Sequence, residues 1–147
     1  MSAFFRTILL TGLALASPVY AQSAPVLELS AGMHRIEAEV VNTQETRMLG
    51  LMKRRAMPAQ RGMLFVFEAD ARHCMWMKNT LIPLSVAFLD ERGQILNVEE
   101  MRPETEDNHC AAKPARFALE MNTGWFRQRG LGPGAAIAGI DRAPPPR

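Results

Sequence analysis

Ser85-Val86-Ala87-Phe88-Leu89-Asp90-Glu91-Arg92-Gly93-Gln94-Ile95-Leu96-Asn97-Val98 is the stretch that decides the fold class. Two short runs rich in apolar and β-branched residues flank Asp90-Glu91-Arg92-Gly93, where glycine permits the positive φ of a tight connection, so the stretch reads as a β-hairpin. Working outward, Met63-Leu64-Phe65-Val66-Phe67 follows Arg61-Gly62 as a continuous apolar run, the pattern of a strand buried on both faces. Ile36, Ala38 and Val40 alternate with Arg35, Glu37 and Glu39, the period of a strand with one face in water. Cys74 to Lys78, Arg116 to Met121 and, more weakly, Ala135 to Ile140 read as further strands.

One helix interrupts this pattern. Asn42 is suited to an N-cap with Glu45 three residues on, and Met48, Leu49, Leu51 and Met52 recur at helical spacing until Lys53-Arg54-Arg55 and Pro58 stop it. Gly124 to Arg129 reads as a helical turn closed by Gly130. The expectation is a mainly β domain, a small sandwich or barrel of seven or eight short strands with one short helix.

The chain has 147 residues, of which 48% are hydrophobic and 22% charged, a globular composition. Its first 21 residues have the layout of a cleaved export signal. Arg6 supplies the positive start, Ile8 to Ala16 the apolar run, Pro18 the break, and Val19-Tyr20-Ala21 the small residues of a cleavage site. That run is too short to span a bilayer, and no cysteine follows the site to accept lipid. The expected organisation is a signal at 1–21, a flexible leader at 22–27, a domain at 28–140 and a disordered proline-rich tail at 141–147. A periplasmic or secreted product without stable membrane insertion follows. Net charge is +2, and losing Arg6, the only charged side chain of the signal, leaves +1. With no basic stripe beyond Lys53 to Arg55, no nucleic-acid partner is expected.

Cys74 and Cys110 are the only cysteines, and an even count in a small exported domain favours a disulfide between them. A competing reading notes that each follows a histidine, His73 and His109, with Met75 and Met77 alongside, a soft set suited to copper. Adjacent residues of a strand point to opposite faces, however, so His73 and Cys74 would not grip one ion without distortion. Ten methionines invite the same idea, but Met48, Met52, Met63 and Met121 fall on expected core positions, where methionine fills gaps. The chain has no nucleophile elbow, His-Glu-x-x-His, phosphate-binding glycine loop or Cys-x-x-Cys. No metal, cofactor or catalytic residue is therefore assigned, and the reading leans away from an enzyme.

The segment Trp76-Met77-Lys78-Asn79-Thr80-Leu81-Ile82-Pro83-Leu84 combines a stacking face, a cation, an amide and a hydroxyl at a strand exit. That mix makes either a ligand-binding rim or a structural corner whose polar groups satisfy their own turn. Together with Arg47-x-x-Gly50-Leu51-Met52-x-Arg54, Gly62 to Phe67, and Ala118-Leu119-Glu120-x-Asn122-x-Gly124-Trp125, it resembles the DUF192 family across about residues 28 to 140. The resemblance implies a compact β sandwich or barrel with little helix, and no established catalytic residues. Many members have Asp where this chain has Ser85.

Taken together, Arg47, Arg54, Trp76, Lys78, Asn79, Thr80 and Glu120 form the candidate face, expected to line one groove. The leading expectation is a monomeric, non-catalytic envelope module that binds a small anionic or peptide-like ligand through this face. The alternatives are an envelope-acting hydrolase or transferase using Glu120, and a soft-metal carrier using His, Cys and Met side chains.

Overall fold

Val26–Ala31 (β1) and His34–Val41 (β2) pair as an antiparallel hairpin in the computed structural model, which describes residues 24–147. Gly32, at φ 58°, supplies the positive φ that so short a loop needs. The remaining elements are helix α1 (Gln44–Leu49), β3 (Arg61–Ala71), β4 (Cys74–Met75), β5 (Leu84–Leu89), β6 (Ile95–Met101), β7 (His109–Cys110), β8 (Ala115–Asn122) and helix α2 (Trp125–Gln128). A 3₁₀ turn at Ile140–Arg142 ends the series. Six strands form one sheet in the order β1-β2-β3-β8-β5-β6, parallel only between β2 and β3, while β4 and β7 make a separate two-stranded ribbon. The fold is mainly β, with eight strands in two sheets.

The large sheet is drawn toward a barrel by the segment after α2. Ala138 and Ser30 exchange backbone hydrogen bonds at β1, and Ile95 N–H donates to Ala135 O at β6, so one stretch of chain touches both edge strands. Closure of this kind removes the exposed edges that invite aggregation. Alternation then gives the sheet two apolar faces. Ile36, Ala38, Leu64, Val66, Leu119 and Ala87 point inward with Trp125, Phe126, Ile137 and Ile140. Met63, Phe65, Phe67, Val86, Phe88 and Ala118 point outward and are covered by Leu51, Met57, Met77 and Ile82.

Several sequence expectations are corrected. The N-cap of α1 is Thr43, not Asn42: Thr43 Oγ1 accepts from Thr46 N–H at 3.1 Å and Thr43 N–H donates to Thr46 Oγ1 at 3.1 Å. Asn42 instead holds the C-terminal tail, donating from Nδ2 to Pro145 O at 2.7 Å and accepting from Arg147 N–H at 2.7 Å. Proline lacks an N–H but keeps its carbonyl, so the tail expected to be disordered is docked. Val26 and Leu27, assigned to the leader, already pair with β2. The expected strand over Cys74 to Lys78 lasts two residues, because Thr80 N–H turns back to Met77 O and Asn79 takes φ 54°. The expected strand at Ala135 to Ile140 is reduced to two isolated bridges. Met63 and Met121 are buried and Met52 is half-buried, but Met48 is 66% exposed, since α1 buries none of its residues. The expected signal at 1–21 lies outside the described residues.

Candidate functional site

α1 and the β4 ribbon rise on either side of the outward face of β3 and leave a cleft between them. Its volume is about 620 Å³. Phe65 and Phe67 form the floor, Arg47 and Met48 one wall, and His73, Met75 and Trp76 the other. The ribbon is held by the Cys74–Cys110 disulfide, which joins residues directly opposite each other in β4 and β7. A smaller recess of about 30 Å³ opens among Met48, Met75 and Trp76 and reaches Thr80 and Glu120.

Glu120 is the chemical anomaly of the site. It sits in β8 between Met63 of β3 and Val86 of β5, on a face otherwise made of hydrocarbon, and is 4% exposed. Burial pushes its pKa up to about 8, with no hydrogen bond or neighbouring charge to offset the loss of hydration. At neutral pH it is therefore an uncharged acid that can donate a hydrogen bond.

The candidate residues do not all converge. Arg47, Trp76, Thr80 and Glu120 share the recess. Arg54 lies elsewhere: its two terminal nitrogens donate to both oxygens of Glu39 in β2, a bidentate clamp that lowers the Glu39 pKa and raises that of Arg54. Lys78 is exposed at the rim, its Nζ 5.2 Å from the Trp76 ring centroid and 3.6 Å from Glu106. Asn79 serves the turn, its carbonyl accepting from Lys53 N–H at 2.8 Å. Arg47 is also committed, donating to Val66 O and to Glu68 Oε1, each at 2.9 Å. Each of these three cations already has a carboxylate partner, which weakens the case for an anionic ligand. Neither Arg47 nor Arg54 pairs with Glu120.

Phe65, Phe67, His73 and Met75 complete the cleft; from the sequence His73 and Met75 were considered only as soft-metal ligands, and Phe65 and Phe67 not as site residues. Phe65 and Phe67 read as core, and they are buried; what the sequence lacks is any sign that the outward face of β3 is left uncovered at one end. The stacking of His73 on Phe67, with ring centroids 3.7 Å apart, joins residues from either side of a chain reversal.

The family model of DUF192, described as an uncharacterized ACR, matches residues 26–139. The chain belongs to the DUF192 family. A solved structure of a protein from Sinorhizobium meliloti 1021, described as a candidate transcription regulator, is 32% identical with a TM-score of 0.71; the match covers 78% of this chain and 92% of that one. A protein of unknown function from Novosphingobium aromaticivorans DSM 12444 is 26% identical with a TM-score of 0.76, over 86% of this chain and 97% of the other. Among curated proteins, none matches.

Ser85 faces Glu100 across β5 and β6, donates to Glu100 Oε2 at 2.7 Å and accepts from Gly124 N–H at 2.8 Å. A carboxylate thus reaches the start of α2 from the neighbouring strand. Burial raises the Glu100 pKa, but donors from Ser85, Thr123 and Gly124, with the charge of Arg127, outweigh it and leave the value lowered. This network points to the inward face, away from the cleft.

Proposed function

We propose that this DUF192 protein is an exported ligand-binding module whose cleft takes a neutral, peptide-like molecule. An apolar side chain of the ligand rests on Phe65 and Phe67, and a carbonyl accepts a hydrogen bond from protonated Glu120. One observation carries the reading: an uncharged carboxyl group lining a small recess that adjoins a cleft with aromatic side chains, the two sharing Arg47, Met48, Phe65, Met75 and Trp76. A concave site that combines aromatic surface with a few placed polar groups, here Gln44, Arg47, Glu68 and His73, suits a small molecule. The Cys74–Cys110 bridge supports an oxidising compartment, and residues 1–21 support export. No helix among the described residues is long and apolar enough to cross a membrane.

The test is selection from a library of short neutral peptides, followed by titration of one selected sequence. Trp76→Ala weakens binding at least tenfold, Glu120→Ala abolishes it, and Glu120→Gln, still a donor, retains it. Affinity falls as pH rises past about 8, where Glu120 loses its proton. Equal, pH-independent binding by all variants overturns the proposal.

A second reading uses the same group as a general acid, because a carboxyl held protonated near neutrality suits that role. A hydrolase screen in which Glu120→Gln turns over substrate like the parent removes it.

A further inference from the structure

The β4 wall of the cleft carries donors that the peptide-binding reading does not use. His73 immediately precedes β4 and Met75 is its second residue; two apart on an extended chain, they share a face, and both line the cleft. The geometric objection to His73 and Cys74 as joint ligands does not apply to this pair, and the Cys74 sulfur is already spent in the disulfide.

His73 is arranged as a ligand. Its Nε2 lies 2.8 Å from Ala69 O, and because a carbonyl only accepts, Nε2 carries the proton and the neutral ring keeps its lone pair on Nδ1. A backbone carbonyl fixing the tautomer in this way is the usual outer support of a metal-binding histidine. The ring plane is held by the stack on Phe67, at 16° between planes. Across the cleft, Met48 projects from a helix with no buried residue, so packing does not account for an apolar side chain 66% exposed. Met48, Met52 and Met75 line the small recess beside the Trp76 indole, and of the three thioethers Met48 and Met75 also line the cleft with His73.

We propose that His73, Met75 and Met48 form a binding site for a soft monovalent metal ion of the Cu(I) or Ag(I) kind, with Trp76 as its shielding wall. Thioethers select soft ions, and imidazole completes a neutral set that hard divalent cations, which demand oxygen, do not favour. The indole face adds attraction for a cation. Glu68 also lines the cleft, and its ion pair with Arg47 reduces the repulsion that guanidinium would otherwise exert. Glu120 borders the same recess but is not among the proposed ligands, so failure of the peptide-binding reading and failure of this one are distinguishable.

Silver nitrate in chloride-free buffer is the probe, since Ag(I) has the same preference without redox chemistry. The disulfide-bonded protein takes up one equivalent, seen by calorimetry and by quenching of tryptophan fluorescence, and an excess of Zn(II) does not displace it. Met75→Leu, Met48→Leu and His73→Phe each weaken binding at least tenfold, whereas Met33→Leu, at a site 91% exposed in the β1–β2 turn, binds like the parent. Methyl NMR of the parent protein guards against variants that fail to fold: of the nine methionines after residue 21, Met48 and Met75 shift most with silver, and Met33 and the methionines away from the recess do not shift. Absence of saturable one-to-one binding, unchanged affinity in both methionine variants, or shifts at other methionines instead overturns the proposal.

Discussion

Glu120 stands directly opposite Met63 across β8 and β3, a carboxyl group set against a thioether in the outward face of the sheet. The pairing has a cost that varies with pH. With the native pKa near 8 and the unfolded value near 4.5, the unfolded chain binds fewer protons than the native one throughout that interval. Stability therefore falls as pH rises from about 4.5 to about 8, by roughly 1.4 kcal/mol per unit from this residue. Glu120→Gln is expected to remove that slope and to be the more stable protein at pH 7 by about 3 kcal/mol. Urea unfolding of both proteins from pH 4.5 to 9 measures it, and parallel curves refute it.

The Arg54–Glu39 clamp has the opposite pH signature. The hydrogen bonds it accepts from Arg54 hold the Glu39 pKa below the usual carboxylate range, so the clamp's contribution is present above the unfolded value of about 4.5 and is lost as pH falls through the lowered native one. Both side chains keep some solvent contact, 37% for Arg54 and 16% for Glu39, which limits the gain to about 1 kcal/mol despite the bidentate geometry. Arg54→Ala should lower stability by that amount at pH 7 and differ little from the parent in acid. Because Arg54 lies outside the recess, peptide binding should be unchanged.

How far the residues announced this arrangement depends on how local each cause was. The β5–β6 hairpin, the alternation in β2 and the cysteine pair were legible because a turn, a period of two and a count of two are local or combinatorial signals. The helical spacing of Met48 and Leu49 was equally clear and misled, since α1 is six residues long and borders the cleft, leaving Leu49 60% exposed. Asn42 made a good local cap on paper, and Thr43 with Thr46 made a better one, freeing Asn42 to hold a tail 103 residues away. Trp76 and Thr80 stood out by the mix of side chains around them and Glu120 through the family motif, but their union in one recess depends on strand order, which no spacing along the chain encodes.

The disulfide should matter more to the cleft than to the barrel. β4 and β7 pair only with each other, and Cys74 to Met75 is the wall opposite α1. Cys74→Ser with Cys110→Ser is expected to cost roughly 4 kcal/mol in the chain-entropy model for a separation of 36 residues. Hydrogen exchange should quicken at residues 73–76 and 109–111 while β3, β5 and β8 stay protected. Uniform loss of protection would show instead that the ribbon and barrel unfold as one unit.

Gly62 tests how closely β8 is packed beneath the recess. A Cβ built on Gly62 would lie 2.5 Å from Glu120 O, and Met121 Sδ would crowd it further. The sulfur ends a flexible chain and can move, but Glu120 O belongs to the backbone ladder joining β3 to β8 and cannot yield without lengthening the pairing. Gly62→Ala should therefore destabilise the protein by about 3 kcal/mol, an overpacking effect, although alanine suits a strand better than glycine. It should also disturb the recess, because displacing β8 moves the Glu120 carboxyl relative to Trp76 and Thr80. The expected result is a lower midpoint in urea together with a Glu120 pKa moved back toward 4.5, read by carboxyl NMR as water gains access. A destabilised variant whose Glu120 still titrates near 8 would separate the packing of the strand from the chemistry of the site.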